Sequence, residues 1–216
     1  MSARKKSIKN SNKDNNKIID CKVALLGDSG VGKTSIIGRY ISGMCTTEMI
    51  STTGANYSQK IIEKDNKKIR LNLWDTAGQE KYRSLGRNFY KDAVIICLVF
   101  DITVRKSFTS LKENWLPDIK KYGEKYNILA IVGNKCDKYE EESVTEEEAE
   151  ELAKEEGAKV FIVSAFNGNG IDEMFSELAD AYFSSDFANK RNKLEKSESI
   201  KNAKLDKINN YQNEPK

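Results

Sequence analysis

A glycine-rich stretch, Gly27–Thr34, has the residue types and spacing of a loop that binds phosphate groups. It follows a short apolar run and precedes residues with helical spacing, which is the strand, loop and helix order that such a loop requires. Glycines let consecutive N–H groups turn toward one anion, and the following helix N-terminus adds partial positive charge. Lys33 can reach the β and γ phosphates, and the Thr34 hydroxyl is suited to ligate a bridging Mg²⁺. The predicted phosphate-binding residues are Asp28, Ser29, Gly30, Val31, Gly32, Lys33, Thr34 and Ser35.

A second group of candidate residues follows the apolar segment that ends at Trp74. Asp75 can hold Mg²⁺ directly or through a water molecule, and the Gly78 N–H can bond a γ-phosphate. Gln79 can orient an attacking water without titrating, although a Gln in a surface turn is by itself commonplace. The chain contains no histidine, which excludes Ser-His-Asp and Cys-His catalysis and most transition-metal chemistry.

A third candidate motif, Asn134-Lys135-Cys136-Asp137, follows an apolar run over residues 128–133. The Asp137 carboxylate can accept two N–H bonds from guanine, which adenine cannot supply. Asn-Lys occurs six times in this chain, but it has Asp in the fourth place after an apolar strand only here. Ser164-Ala165, after another apolar run, offers a backbone N–H near the base. These residues predict specific recognition of guanine.

Strand and helix patterns alternate from residue 20 onward and predict how these loops are positioned. Strands are predicted near 21–26, 57–63, 68–74, 93–100, 127–133 and 159–163, and helices near 33–41, 104–122, 145–156 and 171–183. Asp65-Asn66 marks a hairpin turn, and Pro117 is expected to kink or restart its helix. The predicted fold class is α/β, a mostly parallel six-stranded sheet with one antiparallel edge strand and helices on both faces. Ligands are expected at the carboxyl ends of the strands.

Charge is distributed unevenly along the chain. Residues 1–18 contain six Lys or Arg and one acidic residue, and residues 188–216 contain eight Lys or Arg and four acidic residues. The net charge of the whole chain is only +3. The sequence therefore predicts a basic flexible extension over 1–18, a compact domain over 19–187 and a basic, disordered tail over 188–216. Such tails are either simply solvated or weakly attracted to anionic membranes, and we expect no nucleic-acid partner because they lack stacking aromatic residues.

Cysteines and apolar runs indicate the cellular compartment. The four cysteines show no paired spacing and are expected to be reduced thiols without a zinc site. The longest apolar run, Ala93–Phe100, is far shorter than the ~20 residues that span a bilayer. We therefore expect a cytoplasmic protein.

The motif set, in this order and at these intervals, resembles a small GTPase of the Ras superfamily over about residues 20–183. The resemblance is carried by Gly27–Thr34, Trp74–Glu80, Asn134–Asp137 and Ser164-Ala165. Within the superfamily, Glu80–Ser84 and Phe89–Ala93 are similar to the Rab branch. Trp115–Asp118 is similar to a Rho pattern, but the extra Rho helix finds no room between Asp137 and Ser164.

The resemblance implies bound GTP or GDP with Mg²⁺, slow GTP hydrolysis, and regulation of vesicle and membrane traffic. It also implies a monomer that acts at the cytosolic face of endomembranes. It implies that Lys33, Thr52 and Gln79 are catalytic and that Thr34, Thr52 and Asp75 hold the metal, with Thr53 as the fallback for Thr52. Thr52, Gly78, Lys135 and Phe166 then also contact the nucleotide. Switch segments at about 45–57 and 77–90 would bind effectors, an exchange factor and a GTPase-activating protein.

Several positions depart from the Rab pattern. Cys45 stands where an aromatic residue usually stacks on guanine, and Phe166 stands where Lys is usual and is expected to pack near the base. Asn56-Tyr57 replaces the usual Asp-Phe of the effector region. No cysteine follows Cys136, so we expect no prenylation, and Ser2 excludes N-myristoylation. The alternatives are a nucleotide-dependent interaction module with negligible hydrolysis, a Rho-like signalling GTPase, and a P-loop ATPase or nucleotide kinase.

Overall fold

Six strands form one sheet in a computed structural model that describes residues 18–44, 56–64, 67–76, 90–123 and 128–184. The strands are β1 (Ile18–Leu26), β2 (Asn56–Lys64), β3 (Lys67–Asp75), β4 (Ile95–Asp101), β5 (Ile128–Asn134) and β6 (Lys159–Val163). Their order across the sheet is β2-β3-β1-β4-β5-β6. Neighbouring strands are parallel except β2 and β3, which are antiparallel. The predicted fold class is confirmed.

In the described part of the chain, four longer helices connect or follow the strands. Helix α1 is Lys33–Ser42, α3 is Glu146–Glu156 and α4 is Ile171–Ser184. Three consecutive segments, α-helical Arg105–Ser110, π-helical Leu111–Trp115 and α-helical Leu116–Tyr122, are together called α2. A short 3₁₀ helix, Cys136–Glu141, follows β5. Because each parallel strand needs a crossover, the helices cover the sheet and leave the strand ends open to loops.

The central strands are buried on both faces. All seven residues of β4 are buried, as expected for a strand between parallel neighbours with helices on each side. On one face Ala24 and Leu26 of β1 join a hydrophobic cluster with residues of α2 and α3. Helices α1 and α4 contribute no residue to this cluster and contact each other, because Tyr40 of α1 stacks on Phe175 of α4 with ring centroids 3.9 Å apart.

Glycine and capping residues set the ends of the helices. Helix α1 begins after Gly32 and ends at Gly43, both in the left-handed region. Helix α3 begins with a capping box, in which the Thr145 hydroxyl accepts from the Glu148 N–H and the Glu148 carboxylate accepts from the Thr145 N–H. These interactions satisfy N–H groups that a helix start leaves without partners.

Pro117 lies in the first turn of the α-helical segment that restarts at Leu116, which is one of the two outcomes predicted for it. The residues on either side of it keep right-handed helical geometry, and the preceding segment is π-helical, with the Leu116 N–H donating to the Leu111 carbonyl. A proline has no N–H and crowds the carbonyl four residues earlier, and a wider turn accommodates both effects. Of the two predicted outcomes, a kink or a restart, the structure shows the restart, together with a change of helix type that the sequence did not predict.

By backbone contacts the chain divides into two units, Met1–Ala179 and Asp180–Lys216. In the second unit the structure describes only residues 180–184, the last turn of α4, where the Ser184 hydroxyl donates to the Asp180 carbonyl at 2.8 Å. The predicted boundaries at 18/19 and 187/188 remain predictions. Among the described helices, none has the length and apolar character needed to cross a bilayer.

Candidate functional site

The predicted phosphate-binding loop joins the carboxyl end of β1 to the start of α1. Gly30 and Gly32 have φ angles of 79° and 98°, which residues with a Cβ rarely adopt. A Cβ on Gly32 would lie 2.2 Å from Asn134 Nδ2, whereas one on Gly30 would meet nothing within 4 Å. The loop therefore packs against the neighbouring motif at Gly32 and is open at Gly30, which gives it the shape of a cradle.

Lys33 lies under this loop, and only 5% of it is exposed. Its Nζ donates to the carbonyl oxygens of Gly27 at 2.8 Å and Asp28 at 2.9 Å. Burial lowers the pKa of Lys33 to about 8, partly opposed by the negative charges of Asp75 and Asp28. The ammonium group is thus mostly charged at neutral pH and available to an anion in the cradle.

The predicted metal ligands Thr34 and Asp75 are in contact. The Thr34 hydroxyl donates to Asp75 Oδ2 at 2.6 Å, which brings the start of α1 to the end of β3. Asp75 is almost fully buried. A hydroxyl and a carboxylate beside a phosphate cradle form the hard oxygen donor set that Mg²⁺ prefers, so these residues fit that ion. The third predicted ligand, Thr52, lies outside the described residues, as does its fallback Thr53.

Asn134 connects the phosphate-binding loop to the loop after β6. Its Nδ2 donates to the Val31 carbonyl at 2.8 Å, and its Oδ1 accepts from the Ala165 N–H at 3.1 Å. The side chain is buried, with 1% exposed. The Ala165 N–H that the sequence assigned to the base is thus donated to Asn134 in this structure. One side chain holds two loops at the same edge of the sheet.

Lys135 follows in the left-handed region, with φ 71°, and its Nζ lies 2.6 Å from Asp101 Oδ2. Asp101 is itself fixed, because its Oδ1 accepts from the N–H and the hydroxyl of Thr103. A cavity of about 410 Å³ opens beside this pair and the phosphate-binding loop. Its lining consists of Asp28, Ser29, Gly30, Val31, Asp101, Val104, Lys106, Ser107 and Lys135.

Asp137 and Ser164 are joined by a short hydrogen bond from the Ser164 hydroxyl to Asp137 Oδ1. Phe166 in the same loop is 64% exposed. Arg39 of α1 holds this loop, because its guanidinium donates to the carbonyl oxygens of Ala165 and Phe166 and, at 2.7 Å, of Gly43. Neither Arg39 nor Asp101 was predicted from sequence, because no motif marks them and the site residues that they bond are distant along the chain.

The structure brings the described candidates to the carboxyl ends of β1, β3, β5 and β6. They are the cradle residues Asp28–Ser35, Asp75, the Asn134–Asp137 motif and Ser164–Phe166. Gly78, Gln79 and Cys45 lie outside the described residues, so their predicted roles remain predictions. Within the described part of the chain, no cluster of three or more His, Cys, Asp or Glu residues has the arrangement of a metal site.

Comparison with known proteins identifies the family. Residues 22–184 match the Ras family. The chain is 41% identical to human Ras-related protein Rab-8B over 158 residues, which cover 73% of this chain and 76% of that protein. It is 38% identical to Ras-related protein Rab-8 of Diplobatis ommata over 194 residues, which cover 90% of this chain and 89% of that protein. It is 40% identical to Ras-related protein Rab-13 of Bos taurus over 158 residues, which cover 73% of this chain and 77% of that protein. The chain therefore belongs to the Ras family, as a small GTPase of the Ras superfamily that is most similar to the Rab proteins.

Proposed function

We propose that this protein binds GDP and GTP with Mg²⁺, hydrolyses GTP slowly, and acts as a Rab-like switch in vesicle and membrane traffic. The observation that carries the proposal is the double hydrogen bond of Asn134 to the Val31 carbonyl and the Ala165 N–H. It holds the loop proposed to bind phosphate and the loop proposed to bind the base at the same edge of the sheet. The chain's similarity to Rab-8B and Rab-13 supports the role in traffic.

The base would be recognised at Asp137. Its carboxylate accepts from Ser164 through Oδ1, which orients the group and leaves its other oxygen for an N–H of the base. Guanine presents two adjacent N–H donors to a carboxylate, whereas adenine presents an acceptor there. Lys135, held in place by Asp101, would pack beside the nucleotide.

The phosphates would be bound by the cradle N–H groups and by Lys33. Lys33 already donates to two loop carbonyls, so it would exchange one of these bonds for a phosphate oxygen with little side-chain movement. Thr34 and Asp75, with Thr52, would hold Mg²⁺. Such an ion would supply positive charge that offsets the negative charge of the phosphate oxygens.

Hydrolysis would depend on Gln79, which orients the attacking water, and on Lys33, which stabilises negative charge on the γ-phosphate. Arg39 is the arginine on α1, the helix that begins at the cradle, but its guanidinium is engaged with the carbonyls of Gly43, Ala165 and Phe166. It is therefore not aimed at the phosphates. We infer that a GTPase-activating protein supplies the missing arginine, which is worth about 10³–10⁵ in rate in such enzymes.

The signal would be the state of the two switch segments. Segments 45–57 and 77–90 would order on the γ-phosphate and relax after hydrolysis, which changes the surface offered to effectors, an exchange factor and an activating protein. The protein would act as a monomer in the cytoplasm and at the cytosolic face of endomembranes. Its basic ends would add weak contact with anionic membranes.

Single-turnover hydrolysis of radiolabelled GTP and ATP tests this function. We expect slow phosphate release from GTP only, reduced further by Gln79→Leu, because leucine cannot bond the attacking water. Gln59→Leu, a change at an exposed position of β2, is the matched control and should leave the rate unchanged. Tight GTP binding with no phosphate release from any variant would instead support the interaction module that does not hydrolyse GTP.

A further inference from the structure

The carboxylate of Asp28 connects the phosphate-binding loop to helix α2. Its Oδ1 accepts two hydrogen bonds, from the Ser110 hydroxyl at 2.8 Å and from the Trp115 indole N–H at 3.0 Å. Both donors are 6% exposed, so water competes little for these bonds. Hydrogen bonds to an ionised acceptor are among the stronger ones in proteins. We call Asp28, Ser110 and Trp115 the loop tether.

The π-helical segment of α2 explains how two residues of one helix reach the same oxygen atom. Ser110 and Trp115 are five positions apart, which on a regular α-helix places them about 140° apart around the axis. The intervening segment Leu111–Trp115 is π-helical, and its wider turn brings residues five apart onto nearly the same side. π-Helical turns are often found at functional sites, and here the turn directs both donors at Asp28.

The orientation of the Ser110 hydroxyl is also fixed. Asn114, within the π-helical segment, donates from Nδ2 to Ser110 Oγ at 3.2 Å. This bond uses an acceptor position of the hydroxyl, so its proton remains directed at Asp28. The tether is therefore supported by a second polar side chain of α2 that does not itself reach the loop.

Asp28 transmits this anchoring to the cradle. Its own carbonyl accepts from Lys33 Nζ at 2.9 Å, and the open Gly30 lies two residues further along. Glycine gives the loop many alternative backbone conformations, and holding one of them reduces the entropy cost of binding an anion. A loop that is held in this way also opens less often to release what it binds.

We propose that Ser110 and Trp115 are positioning residues, which hold the phosphate-binding loop through Asp28 and so slow the release of bound nucleotide. The proposal rests on the proposed function, because it requires this loop to bind GDP and GTP. Helix α2 would then influence nucleotide affinity. A protein that reoriented its π-helical turn would loosen the phosphate-binding loop without contacting the nucleotide.

Nucleotide release gives the direct test. The full chain is loaded with a fluorescent GDP analogue in Mg²⁺, excess GDP is added, and the dissociation rate is measured. We expect Trp115→Phe and Ser110→Ala each to raise the rate about fivefold, the loss of one net hydrogen bond. Trp74→Phe and Thr109→Ala are matched controls, since Trp74 lies on β3 and the Thr109 hydroxyl donates within its own helix, and both should leave the rate unchanged.

The Asp28→Ala background separates positioning from general stability. Asp28→Ala should itself speed release, and Trp115→Phe or Ser110→Ala should then add nothing, because their acceptor is gone. An undiminished effect in that background would overturn the proposal and assign both residues a packing role. If Trp115→Phe does not fold, Ser110→Ala alone decides the question.

An NMR measurement tests the tether apart from nucleotide exchange. In a Trp74→Phe protein, Trp115 is the remaining tryptophan of the two in the chain, and its indole N–H gives one cross-peak. Asp28→Ala should move the proton resonance upfield through loss of the hydrogen bond, and an unchanged shift would overturn the proposal. Wild-type protein that binds no guanine nucleotide would overturn the proposed function, whereas normal binding with unchanged release in all tether variants would overturn this inference alone.

Discussion

Lys33 has an environment that favours losing its proton, although its proposed role requires a positive charge. Burial is the largest cause, and it lowers the pKa from 10.5 to about 8. Between pH 8 and 10.5 the unfolded chain therefore binds more protons at this residue than the folded protein, so stability rises with pH in that window. Below pH 8 both states are protonated and the contribution is constant.

Urea unfolding of nucleotide-free protein checks this prediction. Relative to Lys33→Met, the free energy of unfolding of the wild type should rise by about 1–2 kcal/mol between pH 7.5 and 9.5. Lys106→Met, at an exposed position, is the control and should follow the wild type. A difference between wild type and Lys33→Met that stays constant with pH would show that Lys33 keeps an ordinary pKa.

Asp137 should determine the preference for guanine. In Asp137→Asn the amide oxygen can still accept from Ser164, but an N–H₂ group replaces the second carboxylate oxygen and opposes the donors of guanine. Loss of a charged hydrogen bond of about 1.5–3 kcal/mol should weaken GDP binding about tenfold to a hundredfold. Fluorescence titration with GDP and ADP measures this. ADP affinity should change little, and Asp172→Asn, with a side chain 82% exposed, should bind GDP normally.

Among single residues, the sequence predicted those that belong to a local motif. Lys33, Thr34 and Asp137 stand at fixed intervals from glycines and apolar runs, and the structure brings them and Asp75 to one edge. Asp28 was predicted to contact nucleotide, but its bonds to Ser110 and Trp115 were not foreseen. Those bonds join residues more than eighty positions apart, and local spacing carries no information about them.

Among the elements, helix α3 depends on its first turn. It carries seven Glu residues and one Lys, so its charges give little net attraction along the helix. Its capping box therefore matters, and Thr145→Ala should lower the free energy of unfolding by about 1 kcal/mol. Chemical denaturation measures the loss. Thr109→Ala, inside α2 and half-buried, should cost less, and equal losses would mean that the cap contributes nothing.

Elements were predictable in number and position because apolar periodicity reflects burial. The six strands and four longer helices of the described residues fall within three residues of their predicted bounds. The helix type within α2 was not predictable. Pro117 indicated a kink or a restart of the helix, but nothing in the sequence indicated the π-helical turn before it. Sequence patterns show where a helix lies more reliably than how its hydrogen bonds are arranged.

For the whole molecule, the uneven charge predicts behaviour at membranes. Residues 1–18 and 188–216 together carry fourteen basic and five acidic residues. We expect the full chain to sediment with vesicles that contain anionic lipid at low salt, at about 1 kcal/mol per Lys or Arg near the surface. A chain of residues 19–187 should stay in the supernatant. Binding to neutral vesicles, or binding that persists at high salt, would contradict an electrostatic contact.

The mostly parallel sheet was predictable because parallel strands joined by helices permit few arrangements. The hairpin at Asp65-Asn66 correctly indicated where the antiparallel pair lies, since β2 and β3 flank it. The segments 45–55 and 77–89, which the sequence assigned mostly to the switches, lie outside the described residues. Their proposed movement depends on nucleotide, so it belongs to the experiments above.

The strand order also determines when the sheet can assemble. Strands β2 and β3 are neighbours in sequence and pair locally, whereas β1 pairs with β4 from Val23 to Ile95, across most of the first half of the chain. Contacts between residues so far apart form slowly, because a long loop must close first. During synthesis the β2–β3 hairpin can therefore form early, and β1 can then pair with β3. The loop after β1 is completed only when β4 and Asn134, which bonds the Val31 carbonyl from the end of β5, have left the ribosome. The phosphate cradle would be among the last parts of the nascent protein to take shape.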